Sequence, residues 1–290
     1  MKVRSFCPGH ITGFFQIVEH GDPLRSGSRG AGMCVDLGAR CELAAGPGSG
    51  KVSVRLDRSF EDAPVTVDAV KGLPGSNGMD FEVAIENELP IGQGFGMSAA
   101  GAVAASLAAS VTLGLGREEA IKSAHLAELK NRTGLGDVAA LYRGGVTFRR
   151  KEGIPPYGQI DRIEGDPPLV LCVVGRPFST AIALSDRSIR EKVNAAGSEC
   201  VEHLAESPDL DALMKLSRRF MKRTGLAETK VEVAVAAAEE VGGRASMVML
   251  GGSLFALGDP EKLADVLQHH GRIYRTRVDL LGPRVISKEI

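Results

Sequence analysis

The sequence has no tryptophan and only 3 tyrosines in 290 residues. Rings on which nucleic-acid bases could stack are therefore scarce. A charge excess of either sign is also missing: 35 Lys and Arg face 36 Asp and Glu, for a net charge of -1. No basic field is available to draw in DNA or RNA. No apolar run reaches membrane-spanning length, since the longest, Ala99 to Leu115, is interrupted by Ser and Gly. The opening MKVRSFCPGH lacks the apolar core of a secretory signal. The five cysteines, Cys7, Cys34, Cys41, Cys172 and Cys200, are scattered and form no C-x-x-C pair. Free thiols in a reducing cytoplasm are expected, not disulfides or a thiolate metal site. Asn131-Arg132-Thr133 fits a glycosylation sequon, but nothing else indicates secretion. The expectation is a cytoplasmic protein with a small-molecule partner, no nucleic acid and no membrane; a homodimer is left open.

What is present is ordinary for a chain with a real core: 43% hydrophobic and 24% charged residues. The length suits one large domain or two of ordinary size. Strands are predicted over Val3–Phe6, Met33–Ala45, Lys51–Leu56, Asp80–Ile85 and Gly145–Arg150. The first breaks at Cys7-Pro8-Gly9-His10, and a Gly-rich loop covers His20–Gly32. Helices are predicted over Ser98–Leu113 and Arg117–Lys130, with a third beginning at Asp137. Residues 151–168 hold four prolines and three glycines, which places a domain boundary there and divides the chain into 1–155 and 156–290. Beyond it come a strand at Leu169–Val174 and helices at Ala181–Ala205, Leu210–Thr224 and Lys230–Val241. Short strands follow at Met247–Leu250 and Leu254–Leu257, then a helix at Pro260–Gly271 and a strand at Arg272–Asp279. The order β-α-α-α-β-β-α-β reads as α+β.

Three Gly-rich stretches could hold phosphate. "AGPGSGKVS" departs from a P-loop twice, with Ala45 in place of the first Gly and Val52 after Lys51, and reads as a hairpin turn between strands. "GFGMSA", Gly94–Ala99, matches a dinucleotide fingerprint, but "ENELP" precedes it and no parallel-strand series follows, so an NAD(P)-dependent oxidoreductase is a distant alternative. The third reading takes Leu89–Ser110 as one device. Glycines turn backbone N–H groups around an anion, and a helix starting near Ser98 adds its own unpaired N–H groups and positive dipole end. The residues alone leave Ser98 as either an N-cap or a ligand of Mg²⁺ or phosphate.

The stretch Pro90-Ile-Gly-Gln-Gly94-Phe-Gly96-Met-Ser98-Ala-Ala100 resembles the phosphate-binding motif of the GHMP kinase superfamily, P-x-x-x-G-[LF]-[GS]-[SM]-S-A. Cys7-Pro8-Gly9-His10 is similar to the superfamily's early Pro-Gly motif, and the small-residue helix after the loop is typical of its members. "CPGHITGFF", "GSRGAG", "AHLAELKNRTGLGDVAAL" and "ASMVMLG" resemble the archaeal pantoate kinase branch. The resemblance implies a GHMP kinase fold of two α/β-type domains, with the nucleotide cleft between an N-terminal domain and a ferredoxin-like C-terminal one. It implies ATP and Mg²⁺ as cofactors and pantoate as the substrate, phosphorylated on its 4-hydroxyl. A related kinase acting on shikimate or homoserine and a catalytically silent, sugar- or acid-sensing relative are the alternatives.

The resemblance gives the residues their roles. Pro90, Gly92, Gly94, Phe95, Gly96, Met97, Ser98 and Ala99 would hold the nucleotide. Ser98 and Glu128 would hold Mg²⁺, and Asp137 would take or orient the hydroxyl proton. Arg149, His125, Ser28 and His10 would receive the substrate's carboxylate and flanks; His125 and Glu128, three apart, share a helix face. Without the resemblance each has a plainer reading. Glu128 would be a solvated helix charge, Asp137 an N-cap, Arg149 a surface charge beside Arg150 and Lys151, and His125 a half-buried structural histidine.

Overall fold

The computed structural model describes residues 1–57, 63–177 and 185–289. Two long strands, β1 (Lys2–Val18) and β2 (Gly27–Pro47), form an antiparallel hairpin that runs the length of one sheet. Its turn, Pro23–Arg25, is capped by Asp22, whose carboxylate accepts from the Leu24 N–H. The far half of β2 pairs with β4 (Met79–Asn87), and β4 pairs in parallel with β3 (Val52–Leu56). The near half, Gly30–Met33, pairs with β5 (Val146–Lys151), which continues into β6 (Gln159–Ile163). β11 (Arg284–Glu289) closes the other edge against the start of β1 and completes a 7-stranded sheet. A second sheet, all antiparallel and 4-stranded, comprises β7 (Pro168–Val173), β8 (Arg244–Met247), β9 (Ser253–Leu257) and β10 (Arg272–Arg277), in the order β10-β7-β9-β8.

Four helices accompany the first sheet: α1 (Pro64–Lys71), α2 (Met97–Thr112), α3 (Arg117–Asn131) and α4 (Asp137–Arg143). α2 packs on β1 and β2 and beneath α1 and α3. It is buried on all sides from Ala99 to Ser110, which is why its sequence shows no polar face. Its small side chains let neighbours come close: Ser5 Oγ donates to the Ala104 carbonyl at 2.7 Å, and Ser106 Oγ to that of Ala120 at 3.1 Å. The second sheet carries α6 (Leu210–Thr224), α7 (Thr229–Glu240) and α8 (Pro260–Leu267). α5 (Arg187–Glu206) and α6 also pack on β1, so the hairpin carries helices from both halves of the chain. All five cysteines are free and buried, and burial pushes the Cys41 and Cys172 thiols up to about 12.

The α+β class is observed, and several predicted details change. β1 runs through Cys7-Pro8-Gly9-His10 without ending; the register instead shifts between Pro8 and Gly9, where proline has no N–H to give the ladder. β2 begins at Gly27, inside the predicted loop. "GPGSG" is not a hairpin turn, because β4 lies between β2 and β3 and the Asp80 carboxylate accepts from the Ser49 and Lys51 N–H groups at 2.8 and 2.9 Å. α1, β6 and β11 were not foreseen. β6 falls inside the stretch taken as a boundary, and β6 and β11 both add strands from beyond residue 155 to the first sheet. The predicted strand Met247–Leu250 ends at Met247 and gives way to a turn. Of the predicted helix Ala181–Ala205, residues 181–184 lie outside the described residues, and α5 starts at Arg187 with Asp186 as its cap. Among the described residues no helix is long and apolar enough to cross a membrane.

The approach of α5 to β1 is tightest at Gly197, where a Cβ would sit 2.0 Å from the Phe15 carbonyl oxygen. Gly197→Ala is expected to cost about 1–3 kcal/mol through overpacking, read as a lower thermal midpoint. Gly21→Ala, where a Cβ would meet nothing within 4 Å, should leave the midpoint within the scatter of surface changes.

Candidate active site

The loop after β4 turns through three left-handed glycines, with φ of 77° at Gly92, 83° at Gly94 and 64° at Gly96, a conformation that a Cβ disfavours. It is seated from both sides. The His10 N–H donates to the Phe95 carbonyl at 2.9 Å and ties it to β1. Gln93, buried, donates to the Gly175 carbonyl at 3.3 Å and accepts from Ser253 Oγ at 3.1 Å, which ties it to the second sheet. Gly96 is the N-cap of α2 and offers no side-chain cap. The first-turn N–H groups of a 16-residue helix are thus left for an anion. Ser98 lies one residue inside the helix, so it is not the cap. Its hydroxyl makes no hydrogen bond among the described residues and borders a cavity of about 310 Å³.

Across this cavity lies the 132–137 loop, with Glu128, Arg149 and Ser28 completing the walls. Glu128, on the last turn of α3, is buried, and its Oε2 has no partner. Burial first, and then the neighbouring Asp137 carboxylate, hold its carboxyl well above the usual range. Gly134 fits between the two acids: a Cβ there would stand 2.3 Å from Glu128 Oε1 and 3.3 Å from Asp137 Oδ2. Asp137 opens α4, but the cap position belongs to Gly136, which frees the aspartate to face the cavity. Its Oδ1 meets His10 Nδ1 at 2.7 Å.

Arg149 sits on β5 opposite Gly30 of β2, so its side chain lies over a position with no side chain. It is 1% exposed, with Nε and Nη1 unpartnered. Burial lowers its pKa, opposed by Asp137 and Glu128. A guanidinium remains charged in such a setting and offers two free donors to an anion. Ser28 Oγ is close by, since a Cβ on Gly136 would meet both it, at 2.2 Å, and Arg149 Nε, at 3.0 Å.

Ser28, Glu128, Asp137, Arg149 and the loop residues Gly92, Gly94, Phe95, Gly96, Met97, Ser98 and Ala99 all line one cavity. The plainer readings of Glu128 as solvated and Arg149 as a surface charge do not describe these buried side chains. Three expected residues lie off the cavity. Pro90 precedes the loop without lining it. His125 is one helical turn before Glu128, and its Nε2 reaches the Pro23 carbonyl at 3.1 Å, so it anchors the β1–β2 turn. A shared helix face does not mean a shared height along the axis. His10 is fully buried beneath the loop and touches Asp137, not the cavity. Burial holds its pKa down against the pull of Asp137, so the neutral ring donates from Nδ1 to the carboxylate and leaves Nε2 as a bare acceptor. Arg132 and Thr133 also line the cavity; in the sequence they fall in the sequon and in the "AHLAELKNRTGLGDVAAL" stretch, neither of which assigns them a site role.

A backbone cradle at a helix N-terminus, a pair of acids and a buried cation, all facing one cavity, define a class: a small-molecule phosphotransferase. The first sheet is antiparallel except for β3 and β4, which removes the βαβ series that a dehydrogenase requires. The family model of the GHMP kinases N terminal domain matches residues 65–145. A pantoate kinase of Methanospirillum hungatei is 31% identical, covering 99% of this chain and 98% of its own. One of Thermococcus kodakarensis is 34% identical over 89% and 88%. A solved phosphotransferase related to the CoA biosynthesis pathway superposes with a TM-score of 0.88 at 29% identity, with 98% of each chain covered. A solved homoserine kinase of Cytophaga hutchinsonii, 18% identical with a TM-score of 0.69 over 98% of this chain and 97% of its own, shares the fold. The chain belongs to the GHMP kinase family, and within it to the pantoate kinases.

The raised carboxyl of Glu128 has a cost in stability. A carboxyl whose folded pKa lies above its unfolded value, 4.5 here, loses stability as pH climbs from that value through the folded pKa. Glu128→Gln removes the loss. The variant should therefore melt a few °C above the parent at pH 8, with the gap closing toward pH 4.5. An equal gap at both pH values would show that the carboxyl ionises freely.

Proposed function

We propose that this chain transfers the γ-phosphoryl group of ATP to the 4-hydroxyl of (R)-pantoate, giving 4-phosphopantoate and ADP, as on the archaeal route to coenzyme A. One observation carries this reading: the lysine-free glycine cradle, the Glu128–Asp137 pair and the buried Arg149 border a single cavity, in a chain 31–34% identical to three pantoate kinases.

The residues divide the work. N–H groups of Gly92–Ala99 and the α2 terminus receive the β- and γ-phosphates through backbone dipoles. Arg149, with Ser28 beside it, takes the pantoate carboxylate, which turns the far hydroxyl toward Asp137. The hydroxyl oxygen bonds to the γ-phosphorus as the bond from phosphorus to the ADP oxygen breaks, and the hydroxyl proton passes to the Asp137 carboxylate. His10 keeps Oδ1 of that carboxylate engaged, so Oδ2, on the Gly134 side, is the acceptor. The donor set also fits Mg²⁺, which takes one or two carboxylates and completes its shell with phosphate oxygens. Glu128, with its unpartnered Oε2, and Ser98, with its free hydroxyl, would hold it. When bound, Mg²⁺ offsets the charge that develops on the phosphates.

Mg-ATP supplied with pantoate, shikimate or homoserine should release ADP only with pantoate; release with another acceptor alone would sink the substrate assignment. Asp137→Asn should lower kcat by about 10²–10⁴-fold while titration calorimetry still shows ATP binding. Arg149→Ala should mainly raise the KM for pantoate, since it removes binding made before the transfer.

A further inference from the structure

Arg132 caps the C-terminus of α3 at φ 54° and ψ 33°. That left-handed position ordinarily goes to Gly or Asn, and a side chain with a Cβ pays for it in strain. The side chain gets nothing structural in return. It is exposed, and its guanidinium makes no hydrogen bond, ion pair or ring contact among the described residues. It does line the cavity. The backbone there is held firmly, with the Arg132 N–H donating to the Leu129 carbonyl at 3.2 Å and the Thr133 N–H to that of Glu128 at 3.3 Å.

A phosphoryl transfer places two anions in this cavity, a carboxylate and a triphosphate. Among the described residues that line it, the cations are Arg149 and Arg132. Arg149 lies buried, within electrostatic reach of Asp137 and Glu128, and the glycine loop itself carries no lysine or arginine. With Arg149 given to the substrate carboxylate, the moving phosphoryl group meets neutral dipoles on one wall, and among the described residues Arg132, in the 132–137 loop on the opposite wall, is the remaining cation.

We propose that Arg132 contacts the phosphoryl group in transit and that the strained backbone at this position is retained to present it. The inference rests on the phosphotransfer reading above. The step is the same: the acceptor oxygen bonds to phosphorus, the bond to ADP breaks, the proton goes to Asp137, and Arg132 donates to the oxygens of the moving group without exchanging a proton.

The test pairs turnover with stability in Arg132→Gly, Arg132→Ala and Arg132→Lys. Arg132→Gly should raise the melting temperature by relieving the left-handed strain, yet lower kcat about 10²–10³-fold, by analogy with the loss of one oxyanion donor. The pantoate KM should change less than threefold. Arg132→Ala should show the same kcat loss, and Arg132→Lys should recover part of it. Tripolyphosphate should raise the melting temperature of the parent more than that of Arg132→Gly. A parent that releases no pantoate-dependent ADP would overturn the phosphotransfer reading. A parent that turns over alongside an equally active Arg132→Gly would overturn only the role of Arg132. A loss confined to the pantoate KM would also overturn it and assign Arg132 to the acceptor.

Discussion

The constraint on which the rest depends is the burial of charge between the glycine loop and the β1–β2 hairpin. Glu128 and Arg149 are each 1% exposed, and the His10 side chain is fully buried. Removing such groups from water is costly unless they face one another. They do so here in a balanced set: two carboxyls, one guanidinium and a neutral imidazole. Asp137 alone keeps a quarter of its side chain in contact with solvent, on the side that faces the cavity. The surrounding sequence makes room for this set. Gly30 lies opposite Arg149, a Cβ on Gly32 would meet His10 Nε2 at 2.7 Å, and Gly134 fills the space between the two acids.

The long hairpin turns this cluster into an active site. β1 supplies His10, β2 supplies Ser28, and β5, paired to β2, supplies Arg149. α5 and α6 rest on β1, and Met249 in the second sheet's turn donates its N–H to the Thr12 carbonyl at 3.1 Å. The glycine loop is then clamped between β1 at Phe95 and the 248–252 turn at Gly94, where a Cβ would stand 2.8 Å from the Met249 carbonyl oxygen. Its dipoles are fixed before any ligand arrives, which is where electrostatic catalysis gains most.

The parts legible in the sequence were those written in local pattern. α2 and α3 show as long helical stretches, the second half shows its order of elements, and the phosphate loop shows through its glycines. What depended on distant pairing was not legible. β11 and β6 are short and half-exposed, and their place in the first sheet is set by partners far away in sequence. The turn at "GPGSG" has a hairpin's composition, but β4 is inserted between its flanking strands, and no local signal announces that. At the site, spacing on α3 put His125 beside Glu128. Only the position of the 23–25 turn shows that His125 Nε2 meets the Pro23 carbonyl and that the ring lies off the cavity lining. His10 is the reverse case: its neighbour Gly9 marks it, but its contact with Asp137 is visible only in the coordinates.

Cradling phosphate with backbone, with no lysine in the loop, follows from the same charge balance. A lysine in the loop would face the carboxyls of Glu128 and Asp137 across the cavity. Neutral N–H dipoles attract phosphate without competing for the acids. They let Glu128 keep an unpartnered oxygen and let Asp137 spend its single strong bond on His10. The glycines that free the backbone at 92, 94 and 96 and the acids at 128 and 137 are therefore two halves of one solution. Polar attraction comes from the main chain, and the titratable groups across the cavity are left unpaired by it.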